Sequence, residues 1–314
     1  MSMDIAFVLP SFNNSGGVKL VTQIANGLHR KGHTVTLYAP LFPRVGRLSF
    51  PQRLTWVKPE CRTKCYISEG QIGEHDAMIA TGWETYDTVV RMGKKYPMHI
   101  AYFVQHIETW DYYNTGKLSD ADRQALATYN TGIPIIYTSD WIQSHLEGRT
   151  TYKVPAGIEI PHWCGKPYNA IPRVSALERG IPWKGDKHIL KLKERGLVNT
   201  YKNLNNKQLS DMLWRTDIFV SLSEVEGFNL PVLEAMAHGC CCISTDVGAV
   251  PEYGRNTVYI VKNPDKAEPA IWTCLNDIAT ARKMGRAARK EAELWSIENT
   301  VGEFECVLYR ILRT

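Results

Sequence analysis

Ser221-Leu222-Ser223-Glu224-Val225-Glu226-Gly227-Phe228-Asn229-Leu230-Pro231-Val232-Leu233-Glu234-Ala235-Met236-Ala237-His238-Gly239 is the stretch on which the reading of this chain turns. An apolar strand runs into a loop containing Gly227. Pro231 has the fixed φ favoured at a first helical position, and Gly239 can supply the left-handed residue that ends a helix. The spacing therefore predicts a helix over 231–238. Glu226 falls in the loop and Glu234 in the first turn of that helix, so both can face one crevice. Free amides around Asn229 and Leu230 suit a phosphate, which a nearby carboxylate would repel. The two glutamates are accordingly assigned to hydroxyls. A sugar nucleotide, with a diphosphate between two polyols, meets both demands: Glu234 takes the ribose and Glu226 the transferred sugar. The plainer alternative gives Glu234 a helix-dipole role and leaves Glu226 in a solvated loop.

Outward from that string the chain keeps an α/β rhythm. Ile5 to Leu9 is a continuous apolar run of the kind buried in a parallel sheet, and it ends in turn residues with the paired Gly16 and Gly17. Helical spacing follows from Val18 to Leu28, closed by Lys31-Gly32, and Thr34 to Tyr38 reads as a second strand. This βαβ unit sets a glycine-rich turn and a helix start at the carboxyl edge of the sheet, where phosphate binds. The spacing is not Gly-x-Gly-x-x-Gly and no acidic residue closes the second strand, which disfavours a dinucleotide oxidoreductase. Further strands are expected at 77–80, 100–104, 135–137, 218–222, 240–244 and 258–261. Helices are expected at 207–215, 267–292 and 297–313. Pro and Gly punctuation from Val154 to Pro161 marks a domain boundary.

The chain has 314 residues, 44% hydrophobic and 22% charged, which excludes a disordered chain or a fibrous repeat and allows two domains. No run of 18 apolar residues is present, so only peripheral membrane contact is left open. The amino-terminal segment lacks the pattern of a signal peptide, and a cytoplasmic location, free or at the inner membrane face, is expected. Cys240, Cys241 and Cys242 are adjacent, so they point to opposite faces of a strand and read as buried small side chains, not a metal clamp. The net charge of +5 is spread over both halves, with one basic stretch at 44–64. In it Arg44, Arg47, Arg53, Lys58, Arg62 and Lys64 face only Glu60, with Phe50 and Trp56 between them. It reads as a solvated loop or as a patch for an anionic lipid or a nucleic acid. Asp120-Ala121-Asp122 matches a metal-binding Asp-x-Asp, but Ser119 three residues before Asp122 makes it a helix cap.

The string from Glu226 to Glu234, with Ser244-Thr245-Asp246-Val247-Gly248-Ala249-Val250-Pro251-Glu252 after it, resembles the donor-site signature of the family-4 retaining glycosyltransferases of GT-B fold. Ser15-Gly16-Gly17-Val18-Lys19 resembles that family's glycine loop, with Lys19 where an Arg is common. Ser139-Asp140-Trp141, Pro155-Ala156-Gly157-Ile158 and Trp295-Ser296-Ile297-Glu298 add support. The resemblance implies an α/β protein of GT-B fold, two Rossmann-like domains facing a central cleft: 1–157 on the acceptor side, a shortened 158–296 for the donor, and a final helix 297–314 crossing back. It implies transfer of a sugar, with retention, from a nucleotide-diphosphate sugar to an acceptor hydroxyl, with no cofactor and no metal. The acceptor is left open among glycan, lipid, small molecule and nucleic acid.

By the same resemblance Glu226 and His106 are the catalytic candidates. Gly16, Gly17, Phe228, Asn229, Leu230 and Glu234 contact the donor. Lys184 and either Arg179 or Arg173 neutralise the diphosphate. His106 can equally be a packed or surface residue, Gln105 and Glu108 are neighbours that can share its site, and Trp110, Tyr112 and Tyr113 can stack on an acceptor or pack in the core. The interval between Lys184 and Asp217 departs from the family, where an additional βα unit is usual, and puts the base contacts in doubt. A silent sugar-nucleotide-binding protein and a GT-B sugar-nucleotide epimerase are the alternatives.

Overall fold

The computed structural model describes residues 2–43, 48–130, 132–146 and 150–313. The chain divides into two compact units. The first comprises Met1–Thr138, Ile142–Gly157 and Ile297–Thr314; the second comprises Ser139–Trp141 and Ile158–Ser296.

The first unit is built on β1 (Asp4–Val8), β2 (Thr34–Pro40), β3 (Arg62–Tyr66), β4 (Ala77–Ala80), β5 (His99–Val104), β6 (Ile135–Tyr137) and β7 (Thr151–Lys153). All pairings are parallel, in the order β3-β2-β1-β4-β5-β6-β7. Ile5 through Val8 are fully buried, as a central parallel strand requires. Ser15 caps the helix Gly16–Arg30, its Oγ accepting from the Val18 amide at 3.3 Å. The helix Ile297–Ile311 belongs to this unit: Phe304 packs against Phe7 and Phe103 with ring centroids 5.6 and 5.3 Å apart. A Cβ on Gly27 would come within 2.4 Å of Val301 Cγ2, so the absent side chain is what lets the first and last helices touch.

The second unit holds β8 (Val174–Leu177), β9 (Asn199–Tyr201), β10 (Ile218–Ser221), β11 (Cys241–Thr245) and β12 (Val258–Val261), again all parallel, in the order β12-β11-β10-β8-β9. The chain leaves β8 for β9 on one side and returns to β10 on the other. Its topological switch point is thus the crevice beyond the carboxyl ends of β8 and β10, where ligands of open α/β sheets bind.

Four strands escaped the sequence reading. β3 carries Arg62 and Lys64 within the basic stretch, so its alternating exposure hides a strand at the sheet edge. β7 and β9 are three residues each, too short for a period to show. β8 begins at Val174, after Arg173, and not before it. The interval thought to be depleted contains the helices Asp186–Glu194 and Asn206–Trp214 with β9 between them, a compact βα unit. The predicted helix 267–292 is two, Ala267–Asn276 and Ile278–Ala292, parted at Asp277, whose carboxylate caps the second by accepting from Thr280 N at 3.1 Å. Cys240, Cys241 and Cys242 are buried free thiols in or beside β11. Ser119 and Asp122 form a reciprocal capping box. Arg44 and Arg47 lie outside the described residues.

Candidate functional site

Two loops meet at the β8/β10 switch point. The first, Glu178 to Gly185, follows β8 and is closed by Asp186, whose carboxylate accepts from the amides of Arg179 (3.0 and 3.1 Å) and Gly180 (2.6 Å). The second, Leu222 to Asn229, follows β10. They are laced together by backbone: Glu224 N donates to Trp183 O at 2.7 Å. Gly185, at φ 80°, lies so close to the second loop that a Cβ there would stand 2.0 Å from Leu222 O. Support comes from behind as well. Thr245 Oγ1, at the end of β11, donates to Ser223 O (2.5 Å), Ser139 Oγ donates to Gly227 O (2.7 Å), and Gly248 lets its backbone pass under Glu226 and Gly227.

Between the loops is a small hollow, open to solvent, that Arg179, Lys184, Ser221, Ser223, Glu226 and Asn229 help to line. Lys184 Nζ donates to Glu226 Oε2 at 2.6 Å, and Ser223 Oγ donates to Oε1 at 2.8 Å. Both charged side chains are largely buried, with 14% and 12% exposure. The helix Leu230–Ala237 starts at the same place; Pro231 has no N–H and Val232 N donates to Asn229 O at 3.2 Å, so the amides of Asn229 and Leu230 are those its start leaves without an intrahelical partner. A cation, a carboxylate and helix-start amides therefore converge on one hollow.

The structure sorts the remaining candidates. Arg173 is at the amino end of β8, where its amide donates to Asp217 Oδ2 (3.0 Å); the sheet separates it from the hollow, leaving Arg179 as the arginine of the site. Phe228 is a core side chain, its ring packed against Tyr253 (5.5 Å) and Trp295 (5.9 Å), so it shapes the loop and offers no face to a ligand. Glu234 stands in the second turn of its helix, not the first, because the helix begins at Leu230. Three residues after Pro231, it shares the helix face of that hollow-lining residue.

Asn229 holds a feature that its place in the motif did not reveal. It adopts the left-handed conformation (φ 70°, ψ 57°), 3% exposed, with Nδ2 donating to Ser221 Oγ at 3.3 Å and Oδ1 buried without a hydrogen-bond partner. An unmet buried carbonyl costs about 1–3 kcal/mol, and glycine adopts this φ freely. Asn229→Gly is therefore expected to raise the denaturant midpoint of the chain. A fall would show the amide to be satisfied.

In the first unit, Gly16 and Gly17 open the helix after β1, and Gln105 packs 3.4 Å from where a Gly17 Cβ would be. His106 follows Gln105 at the carboxyl end of β5, its Nδ1 2.8 Å from Ile107 O. Trp110 and Tyr113 pack on that imidazole, with centroids 4.8 and 5.6 Å away, while Tyr112 is exposed. Glu108 lies beneath, accepting from Tyr102 Oη and from the Trp83 amide, both at 2.9 Å. Burial, helped by the nearby Glu84 charge, pushes its carboxyl up to about 8. A raised carboxyl means that the folded state holds a proton which the unfolded state has already lost. This contribution is complete below about pH 4.5 and disappears as pH rises to about 8. Wild-type stability is expected to fall over that window by several kcal/mol, and Glu108→Gln to flatten the slope, as read from urea midpoints across pH.

Residues 184–291 match the family of group 1 glycosyl transferases. This group 1 segment begins at Lys184 and contains the loop after β10 and the site helix. The chain is 37% identical over 111 residues to N-acetyl-alpha-D-glucosaminyl L-malate synthase of Bacillus anthracis, a match covering 33% of this chain and 29% of that relative. The chain thus spans less than a third of the curated relative it matches. Sucrose-phosphate synthase from Thermosynechococcus elongatus superposes with a TM-score of 0.78 at 16% identity, covering 98% of both chains. Anabaena Alr3699/HepE in complex with UDP and glucose gives 0.77 at 15% identity, covering 98% of this chain and 99% of that one. These likenesses show the fold, which is GT-B. Among the described residues no helix is long and apolar enough to cross a membrane.

Proposed function

We propose that the chain is a retaining glycosyltransferase that moves a sugar from a nucleotide-diphosphate sugar to an acceptor hydroxyl. The observation that carries this reading is the Lys184–Glu226 pair beside the start of the helix Leu230–Ala237, at a sheet switch point inside the group 1 segment. Donor binding exchanges partners. Lys184 leaves Glu226 for the diphosphate, joined by Arg179 and the amides of Asn229 and Leu230, and the freed Glu226 accepts from hydroxyls of the transferred sugar. Glu234 takes the ribose, and His106 is kept as the second catalytic candidate. Two cations and a helix start supply the charge that a leaving diphosphate needs, so no divalent metal is assigned a role. On the retaining path the departing phosphate oxygen accepts the acceptor's proton on the face where the new bond forms. The HepE structure, with UDP and glucose on the same fold, supports a sugar nucleotide as donor.

A thermal-shift panel of UDP-, GDP- and ADP-sugars selects the donor, and release of its sugar is then compared for wild type and Glu226→Ala. Turnover by wild type that Glu226→Ala loses supports transfer. Equal release by both would take the catalytic role from Glu226, none from either protein would leave a binding protein in place of an enzyme, and an epimerised donor formed without acceptor would identify an epimerase.

A further inference from the structure

The carboxyl end of the first unit's edge carries a surface that the donor site does not use. Leu41 N donates to Tyr66 O (2.8 Å) and Ser49 N donates to Leu41 O (3.0 Å), tying the ends of β2 and β3 and a returning loop into one junction. Ser49 fixes it inward, its Oγ accepting from Phe12 N at 2.6 Å. Four of the residues flanking this junction are exposed apolar side chains: Phe42 (65%), Leu48 (43%), Phe50 (41%) and Ile67 (67%). Nine large hydrophobics are at least 41% exposed among the described residues, and four of them adjoin this one junction.

Basic side chains predominate around them. Arg53 is held next to Phe50, its amide donating to Phe50 O at 3.0 Å, and Lys64 lies two residues before Tyr66 on β3; Lys58 and Arg62 extend the exposed cations. The nearby acids are already engaged. Glu60 accepts from Arg30 at 2.7 Å, and Glu69 accepts from Arg91 at 2.5 and 2.9 Å. Water is a poor partner for the apolar group and a folded acidic protein would meet only the cations. A bilayer interface satisfies both, taking aromatic and aliphatic side chains to the level of the acyl chains while basic groups meet anionic headgroups.

We propose that this face docks on an anionic lipid bilayer. The docking surface is Phe42, Leu48, Phe50 and Ile67, with Arg53 and Lys64 as its electrostatic anchors. It is distinct from the β8/β10 hollow and stands whether or not a sugar nucleotide binds there.

Flotation of the whole chain with vesicles tests it. Phosphatidylcholine vesicles containing phosphatidylglycerol are expected to carry the chain, pure phosphatidylcholine vesicles to carry about tenfold less, and added salt to release it. The pairs Phe42→Ser with Ile67→Ser and Arg53→Glu with Lys64→Glu are each expected to cut partitioning about tenfold while leaving the melting temperature unchanged, since these side chains are exposed. Absence of flotation with phosphatidylglycerol, or flotation indifferent to both pairs, overturns the proposal. So does retention on single-stranded RNA without flotation, which would give the cations to nucleic acid. A dimer in light scattering that Phe42→Ser with Ile67→Ser dissolves would put a second copy on the face, and that too overturns it.

Discussion

Lys184→Ala is expected to lower the rate of sugar transfer by about 10²- to 10³-fold, the usual loss when one preorganised charge partner of a transition state is removed. The effect belongs to kcat more than KM, because the diphosphate charge grows as the bond to the sugar breaks. Stability is a separate matter. The substitution leaves Glu226, 12% exposed, with Ser223 as its remaining hydrogen-bond donor among the bonds seen, so the melting temperature falls too. Lys184→Met combined with Glu226→Gln removes both charges and keeps the volumes, and should recover most of that stability while leaving transfer as low as in the single variant. Recovery of activity in the double variant would show that the pair is structural.

Gly185→Ala carries the second large expectation. Its Cβ would meet Leu222 O at 2.0 Å, a backbone atom with no rotamer to retreat into, and φ 80° adds left-handed strain. The loops after β8 and β10 must then part. A loss of about 4 kcal/mol and a fall of about 10 °C in melting temperature are expected. Gly180→Ala is the internal control, since Gly180 shares the left-handed backbone (φ 69°) but nothing stands within 4 Å of its missing Cβ. It should cost about 1 kcal/mol, from strain alone. Similar losses for both would mean that close approach at Gly185 is not what joins the two loops.

Much of the fold was readable because the buried strands are apolar runs and the turns between them are punctuated. β4, β6 and β12 fall where the sequence puts them, and Gly239 takes the left-handed turn that ends the site helix. Edge strands were not readable. Charged Arg62 and Lys64 hide β3, and Asn199–Tyr201 is too short and polar to announce β9. That second omission made the interval after Lys184 look emptier than it is.

At the site, the family resemblance points to Lys184 and Arg179 and the carboxylate reading to Glu226, and the structure brings all three to one hollow. What sequence could not supply was direction along the sheet. Arg173 and Arg179 are both cations near β8, and only the strand limits show that one precedes it and the other follows it. The resemblance puts Phe228 with the donor, yet its ring is spent on Tyr253 and Trp295. The supports of the loop, Ser139, Thr245 and Gly248, come from sequence positions far from it, and no local pattern marks them.

Whether the β8/β10 hollow holds a sugar nucleotide is decided by a crystal structure of the chain soaked with the nucleotide-diphosphate sugar that raises its melting temperature most. The diphosphate is expected beside Lys184 Nζ and the Leu230 amide, with the Lys184–Glu226 bond broken and Glu226 on a sugar hydroxyl. A ligand bound elsewhere, with Lys184 still 2.6 Å from Glu226, would contradict that assignment.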